Sequence, residues 1–243
     1  MAERLLSDQI TGSRCLLSIV IPVLNEQGML EQKLPKVKML AQQFETQIEV
    51  IFVDGGSRDQ SGDVIREFGF QCICSESGRA RQMNAGAELS HAEYILFLHV
   101  DTDLPEDFSC VLTEIKNCKP LWGFFKLRLS SKKNIFRLIA YLINRRSALT
   151  SVSTGDQGQF FQRLAFIQSG GFLLLPLMED IEIAKRFRKK SKPMIIGEKI
   201  ESSSRRWEQA GIAKTVALMW SLRLAFWLGV DAKILARFYR QVK

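Results

Sequence analysis

Four short apolar runs, separated by stretches with helical spacing, limit what this chain can fold into more than any other feature. Residues 16–23 read LLSIVIPV, 48–54 IEVIFVD, 70–75 FQCICS and 93–99 EYILFLH. Each is rich in β-branched and aromatic residues. The first is ended by Pro22 and the turn formers behind it, the second by GGSRDQSG. Between them, residues 26–44 place Leu30, Leu34, Val37, Leu40 and Phe44 on one helical face, and shorter helices are expected over 61–68 and 80–90. Pro35 should kink or break the first helix, because it lacks an N–H and its ring crowds the preceding turn. Strands that are apolar on both faces and alternate with helices pair in parallel and bury both faces under helices. The expected class is α/β with a mostly parallel central sheet.

In open sheets of this kind, ligands lie beyond the carboxyl ends of the strands. Those ends carry Asn25-Glu26, Asp54-Gly55-Gly56-Ser57 and the stretch FLHVDTDLP (97–105), where His99, Asp101 and Asp103 recur at every second position. After the first strand comes PVLNEQG, so neither a GxGxxG dinucleotide turn nor a GxxxxGK[ST] phosphate loop is present there. The surviving candidate is a divalent cation, Mg²⁺ or Mn²⁺, held by one or two carboxylates and bridging a diphosphate. Asp54 could accept an N–H from a nucleobase or could simply close an Asx-turn, since DGGS turns without a ligand.

The segments IPVLNE (21–26), VDGGSRDQS (53–61), GRARQMNAGA (78–87), FLHVDTDLP, LMEDIE (177–182) and SSRRW (203–207) stand in the order and spacing of family 2 glycosyltransferases. The chain resembles these inverting enzymes of the GT-A fold over about residues 16–207. The wording of FLHVDT and GRARQMNAGA is similar to a small bacterial subgroup linked to arsenosugar biosynthesis. The resemblance implies a GT-A domain over 1–207, followed over 208–243 by basic amphipathic helices packed on that domain or on a membrane surface.

It also implies roles. Pro22, Glu26, Asp54, Arg79, Gln82, His99 and Asp101 would line the nucleotide-sugar donor, with Glu26 on ribose and Arg79 and Gln82 near the diphosphate at a helix N-terminus. The metal motif of the family, Asp-x-Asp, falls on His99 and Asp101 when aligned on the preceding FL, while a plain search finds Asp101 and Asp103. Asp101 belongs to both registers and is the expected metal ligand; Asp103 would assist it or begin the turn before Pro105. Asp180 matches the general base, with Glu179 beside it, and Asp156, Arg206 and Trp207 match the acceptor or diphosphate side. The glutamine that precedes Arg-Trp in many relatives is replaced by Ser203. For Glu179-Asp180 the plain alternative is a helix start, since MEDIEIAKRFRKK has acids in its first turn and bases in its last.

The activity so implied is metal-assisted transfer of a sugar from a nucleotide diphosphate to an acceptor hydroxyl, with inversion. The alternatives are a sugar-nucleotide nucleotidyltransferase and a non-catalytic module for acidic lipid or nucleic acid. A nucleotidyltransferase usually has a Gly-rich basic loop after the first strand, absent here. A module would explain the charge but not the acids gathered at three strand ends. The net charge of +8 is uneven: residues 184–243 hold 15 Lys and Arg against 4 acids. Such asymmetry attracts phosphate. Five cysteines without a CxxC pair, and no secretory signal, lead us to expect a cytoplasmic protein. VALMWSLRLAFWLGV (216–230) is only 15 residues long with a central arginine, short of the ~20 that span a bilayer. Residues 212–243 could instead lie at the inner face of the cell membrane or pair with a second subunit. No nucleic-acid partner is expected.

Overall fold

The computed structural model describes residues 15–242. β1 (Leu17–Val23), β2 (Ile48–Asp54), β3 (Gln71–Cys74) and β4 (Tyr94–Phe97) form one half of an eight-stranded sheet. They are connected by α1 (Gln27–Gln43), α2 (Ser61–Glu67) and α3 (Arg79–Leu89). The order β3-β2-β1-β4 is parallel throughout, with Leu17 opposite both Ile48 and Tyr94. The other half is built from β5 (Thr102–Asp103), β6 (Trp122–Leu129), β7 (Gln159–Gln162) and β8 (Met194–Ser202). β7 runs antiparallel between β4 and β6, β8 runs parallel to β6, and the two-residue β5 closes the far edge. The sheet is thus parallel in its first half and mixed in its second.

Strand periodicity divides the core into two layers. Ile19, Ile21, Val50, Phe52, Leu96 and Leu98 point to one face, where they meet α1, α2, α4 (Phe108–Cys118) and α5 (Asn134–Thr150). Val20, Ile51, Val53, Ile95 and Phe97 point to the other, where α3, α6 (Arg163–Gln168) and α7 (Glu179–Arg188) cover them. After β8 come α8 (Arg205–Ala210), α9 (Ile212–Trp227) and α10 (Ala232–Val242). Asp231 precedes α10, its carboxylate accepting the Lys233 N–H at 2.7 Å.

One expectation is overturned. Pro35 does not break α1, which runs unbroken from Gln27 to Gln43. Pro35 sits on the exposed side, where water can reach the Glu31 carbonyl left without its helical partner, while Leu34 beside it is fully buried. The anchoring face outweighs the local cost. The N-terminus of α1 is held by the next strand-end loop: Ser61 Oγ accepts the Glu26 N–H at 2.9 Å and Asp59 Oδ2 the Gln27 N–H at 3.1 Å.

The approach of α3 to the sheet depends on Gly86. A Cβ there would lie 2.4 Å from Val20 Cγ1 and 3.0 Å from Val53 Cγ2, both within the buried ladder. Gly86→Ala gains about 1 kcal/mol of helix propensity but forces a methyl between two strands that cannot part, which typically costs about 1–3 kcal/mol. We expect net destabilisation by urea denaturation; a more stable variant would show that α3 stands off the sheet.

Candidate active site

Two strand ends are tied together by one amide. Gln82 is buried on α3, and its Nε2 donates to the carbonyls of Val23 at 2.7 Å and Val53 at 2.8 Å. These are the last residues of β1 and the penultimate of β2, where parallel ladders run out of partners. Gln82 therefore commits its amide nitrogen to the scaffold at the edge where the donor is expected. Asp54 is buried and closes an Asx-turn, accepting the Ser57 N–H at 3.0 Å and the Ser57 hydroxyl at 2.6 Å through Oδ1. Pro22 lies beyond the β1–β4 ladder, which ends at Val20 opposite Phe97. Glu26, part-exposed, occupies the position before α1. α3 starts at Arg79 behind Gly78, and no side chain caps it, so its first N–H groups face the same edge.

The chemistry gathers where β4 ends and β7 begins. His99 Nδ1 lies 3.1 Å from Asp156 Oδ1; the imidazole is 12% exposed and the carboxylate 51%. Asp156 belongs to a short 3₁₀ turn (Gly155–Gln157) that leads into β7. In that turn the Gly155 N–H donates to Asp180 Oδ2 at 2.7 Å, and Asp180 Oδ1 accepts the Ile181 N–H at 2.7 Å. Gln159, on β7, donates to the Asp180 carbonyl at 3.0 Å. Buried Met178, in a left-handed turn with φ 71°, delivers the chain to α7 and hence Glu179 and Asp180 to this spot. Asn84 pairs its amide with both backbone groups of Phe172, fixing the loop below.

Arg79 reaches from α3 to within 4.0 Å of Glu179 Oε1. Crowding pulls its guanidinium down, but the carboxylates of Glu179, Asp156 and Asp180 outweigh that and hold it above its ordinary value. Half of the Arg79 surface is open, so this attraction is partly screened. Glu179, only 5% exposed, has its carboxyl pushed up by burial and by Asp180, with Arg79 opposing. The cleft between Arg79, His99, Glu179 and Asp180 holds about 10 Å³, room for one water. Arg146 of α5, not singled out from the sequence, also addresses this site: burial lowers its guanidinium and Asp180 counteracts. Nothing in INRRS marks it, since two arginines on a helix carry no spacing signal.

Asp101 and Asp103 part company. Asp103 forms an ion pair with Lys33 at 2.7 Å and lies 3.5 Å from Lys36, both on α1. It lines a groove of about 880 Å³ between α1, β5 and β8 that reaches His99 but contains none of Asp54, Arg79, Glu179 or Asp180. Asp101 is part-buried and, among the described residues, accepts a long hydrogen bond of 3.5 Å from the Thr102 hydroxyl; its oxygens suit a hard cation. Among the described residues no three acid, histidine or cysteine side chains form a cluster able to hold a metal ion. A cation on Asp101 would draw its other ligands from substrate oxygens and water. Trp207 packs part-buried against the core layer under α1 and α5 and does not line the cleft. The Arg206 side chain lies outside the described residues.

Residues 18–118 match the family model described as Glycosyl transferase family 2. Over 98 residues the chain is 29% identical to the undecaprenyl-phosphate 4-deoxy-4-formamido-L-arabinose transferase of Pseudomonas syringae pv. syringae, covering 37% of this chain and 29% of that protein. It is 26% identical over 107 residues to YkcC, an uncharacterised glycosyltransferase of Bacillus subtilis, covering 42% of this chain and 33% of YkcC. The matches thus span about three tenths of these curated relatives. Among solved structures, residues 1–349 of S. aureus TarS in complex with UDP-GlcNAc superpose with a TM-score of 0.62 at 15% identity, covering 77% of this chain and 58% of that one. The mannosyltransferase PcManGT of Pyrobaculum calidifontis, in complex with GDP-Man and Mn²⁺, gives 0.57 at 17% identity, covering 83% and 62%. The fold is that of the GT-A glycosyltransferase structures.

The raised Glu179 carboxyl has a thermodynamic signature. As pH climbs past the ordinary glutamate value, about 4.3, the unfolded chain releases this proton while the folded chain keeps it. Stability therefore falls with rising pH until the folded value is passed, then levels off. Glu179→Gln removes this dependence. Denaturation of both proteins from about pH 4 to 8 should show the wild type losing stability relative to the variant as pH rises. Parallel curves would mean that Glu179 carries no such penalty.

Proposed function

We propose, from the match of residues 18–118 to the glycosyl transferase family 2 model, that the chain moves a sugar from a nucleotide-diphosphate donor to an acceptor hydroxyl, with inversion and with Asp180 as general base. The observation that carries this reading is the fixed Asp180 carboxylate, each oxygen holding one backbone N–H, placed beside Arg79 and the His99–Asp156 pair. Each oxygen keeps a lone pair for a substrate proton.

Asp180 takes the proton of the acceptor hydroxyl as its oxygen attacks the anomeric carbon from the face opposite the leaving nucleotide. One displacement inverts that carbon and needs no protein nucleophile. Arg79 and the open N-terminus of α3 oppose charge growing on the diphosphate. Glu179 is the member of the acid pair with the raised proton affinity, so it relieves Asp180 of like-charge repulsion. Asp54 meets the base, Glu26 the ribose, and Gln82 holds the ends of β1 and β2 under them. The complexes of TarS with UDP-GlcNAc and of PcManGT with GDP-Man and Mn²⁺ support a nucleotide-sugar donor and a divalent cation. Bound by Asp101, such a cation would supply neutralisation of the diphosphate.

Incubation with a panel of UDP- and GDP-sugars and Mn²⁺ should release nucleoside diphosphate; pyrophosphate release would mark nucleotidyl transfer instead. Asp180→Asn should leave donor binding nearly intact and cut turnover by roughly 10²–10⁴, the range for a positioned proton transfer. Asp101→Asn should abolish cation-dependent donor binding, measured by thermal shift, whereas Asp103→Asn loses its ion pairs to Lys33 and Lys36 and should bind donor almost normally. A larger loss at Asp103 would refute this assignment.

A further inference from the structure

The outer faces of α9 and α10 carry large apolar side chains that the fold does not use. Trp220, Leu224 and Trp227 recur at helical spacing along α9 and are 67%, 58% and 71% exposed. On α10, Ile234 and Phe238 are 47% and 56% exposed, one turn apart. Leu222 of α9, opposite that stripe, and Leu235 of α10 are buried with Met178 and Ile181. On α10, Lys233 and Arg237 point away from Leu235, and Ile234 and Phe238 lie on the flank between those cations and the cluster. Isolated exposed leucines need no explanation, but a continuous stripe with two tryptophans does.

Charge identifies the occupant. Lys233 precedes Ile234 and Arg237 precedes Phe238, both cations exposed, so base and apolar group alternate along α10. From residue 205 onward the chain has eight Lys or Arg against two acids, Glu208 and Asp231. A two-fold contact between copies would set this basic face against itself, which is repulsive. An apolar stripe bearing tryptophans and flanked by cations instead matches the headgroup layer of an anionic membrane. Spanning is excluded for the described helices, none of which is long and apolar enough to cross a bilayer.

We propose that the outer face of α9 and α10 docks the protein on an anionic lipid bilayer, with the indoles at headgroup depth and Lys233 and Arg237 on lipid phosphates. This does not rest on the sugar-transfer reading, and loss of either would leave the other standing. Because Met178 and Ile181 flank Glu179 and Asp180, the docked face stands on the same cluster that supports the start of α7.

The test uses the full chain, sedimented with phosphatidylcholine vesicles with and without about three parts in ten phosphatidylglycerol, at low and high salt. Binding should require the anionic lipid, fall about tenfold as salt screens the cations, and blue-shift the indole emission. Trp220→Ser with Trp227→Ser, and separately Lys233→Gln with Arg237→Gln, should each weaken binding at least about fivefold. These side chains are exposed, so unfolding midpoints should not move; should one pair fail to fold, the other decides, as does lipid and salt dependence on the unaltered chain. Intact protein left in the supernatant at low salt with anionic vesicles would overturn the proposal. So would equal binding to neutral lipid, or self-association in light scattering that the tryptophan pair abolishes without vesicles.

Discussion

The antiparallel pairing of β7 with β4 is the constraint on which the site depends. β4 ends at Phe97, opposite Gln159 at the start of β7. In an antiparallel pair, the residues that follow one strand meet those that precede the other. His99 therefore meets Asp156, and the turn carrying Asp156 presents the Gly155 N–H to Asp180. Had β7 run parallel, its approach would have emerged at the opposite edge, far from the strand ends that hold Asp54 and Glu26. One reversal in strand direction joins the two halves of the chain at a single edge.

Around that junction, backbone groups do most of the holding. The Asp180 carboxylate is oriented by two N–H groups, the Asp54 carboxylate by Ser57, and the loose carbonyls of β1 and β2 by Gln82. Charged side chains gather around a small space: Arg79 is held by Glu179, Asp156 and Asp180, and Arg146 also feels the Asp180 charge. The division is physically sensible. Backbone hydrogen bonds fix position cheaply in a buried setting, while charge gathered at a cleft is what a polar substrate can recruit.

Legibility in the sequence followed the range of the interactions. β2 has the bounds expected from IEVIFVD, and α2 and α3 lie within a residue or so of expectation, because their signals are local periodicities. The unbroken α1 was misjudged since Pro35 reports a local cost, whereas the burial of Leu30 and Leu34 that outweighs it is tertiary. β7 offers only QFFQ, four residues whose partner and direction no local pattern reveals. The alternation His99, Asp101, Asp103 reads as one cluster, yet the chain turns after Phe97 and Asp103 leaves on β5 to meet Lys33. That Gln82 can hydrogen-bond is visible in the sequence; that its amide ties the ends of β1 and β2 together is not. Arg146 and Gln159 reach Asp180 only through the fold.

The two margins of the sheet are β3, with four residues, and β5, with two. A strand this short exposes few unpaired N–H and carbonyl groups, so it is a poor template for another chain to extend. β5 pairs only with Glu201 and Ser202, however, so among the described residues the side of β8 away from β6, over residues 194–200, is the stretch of backbone left for another strand to meet.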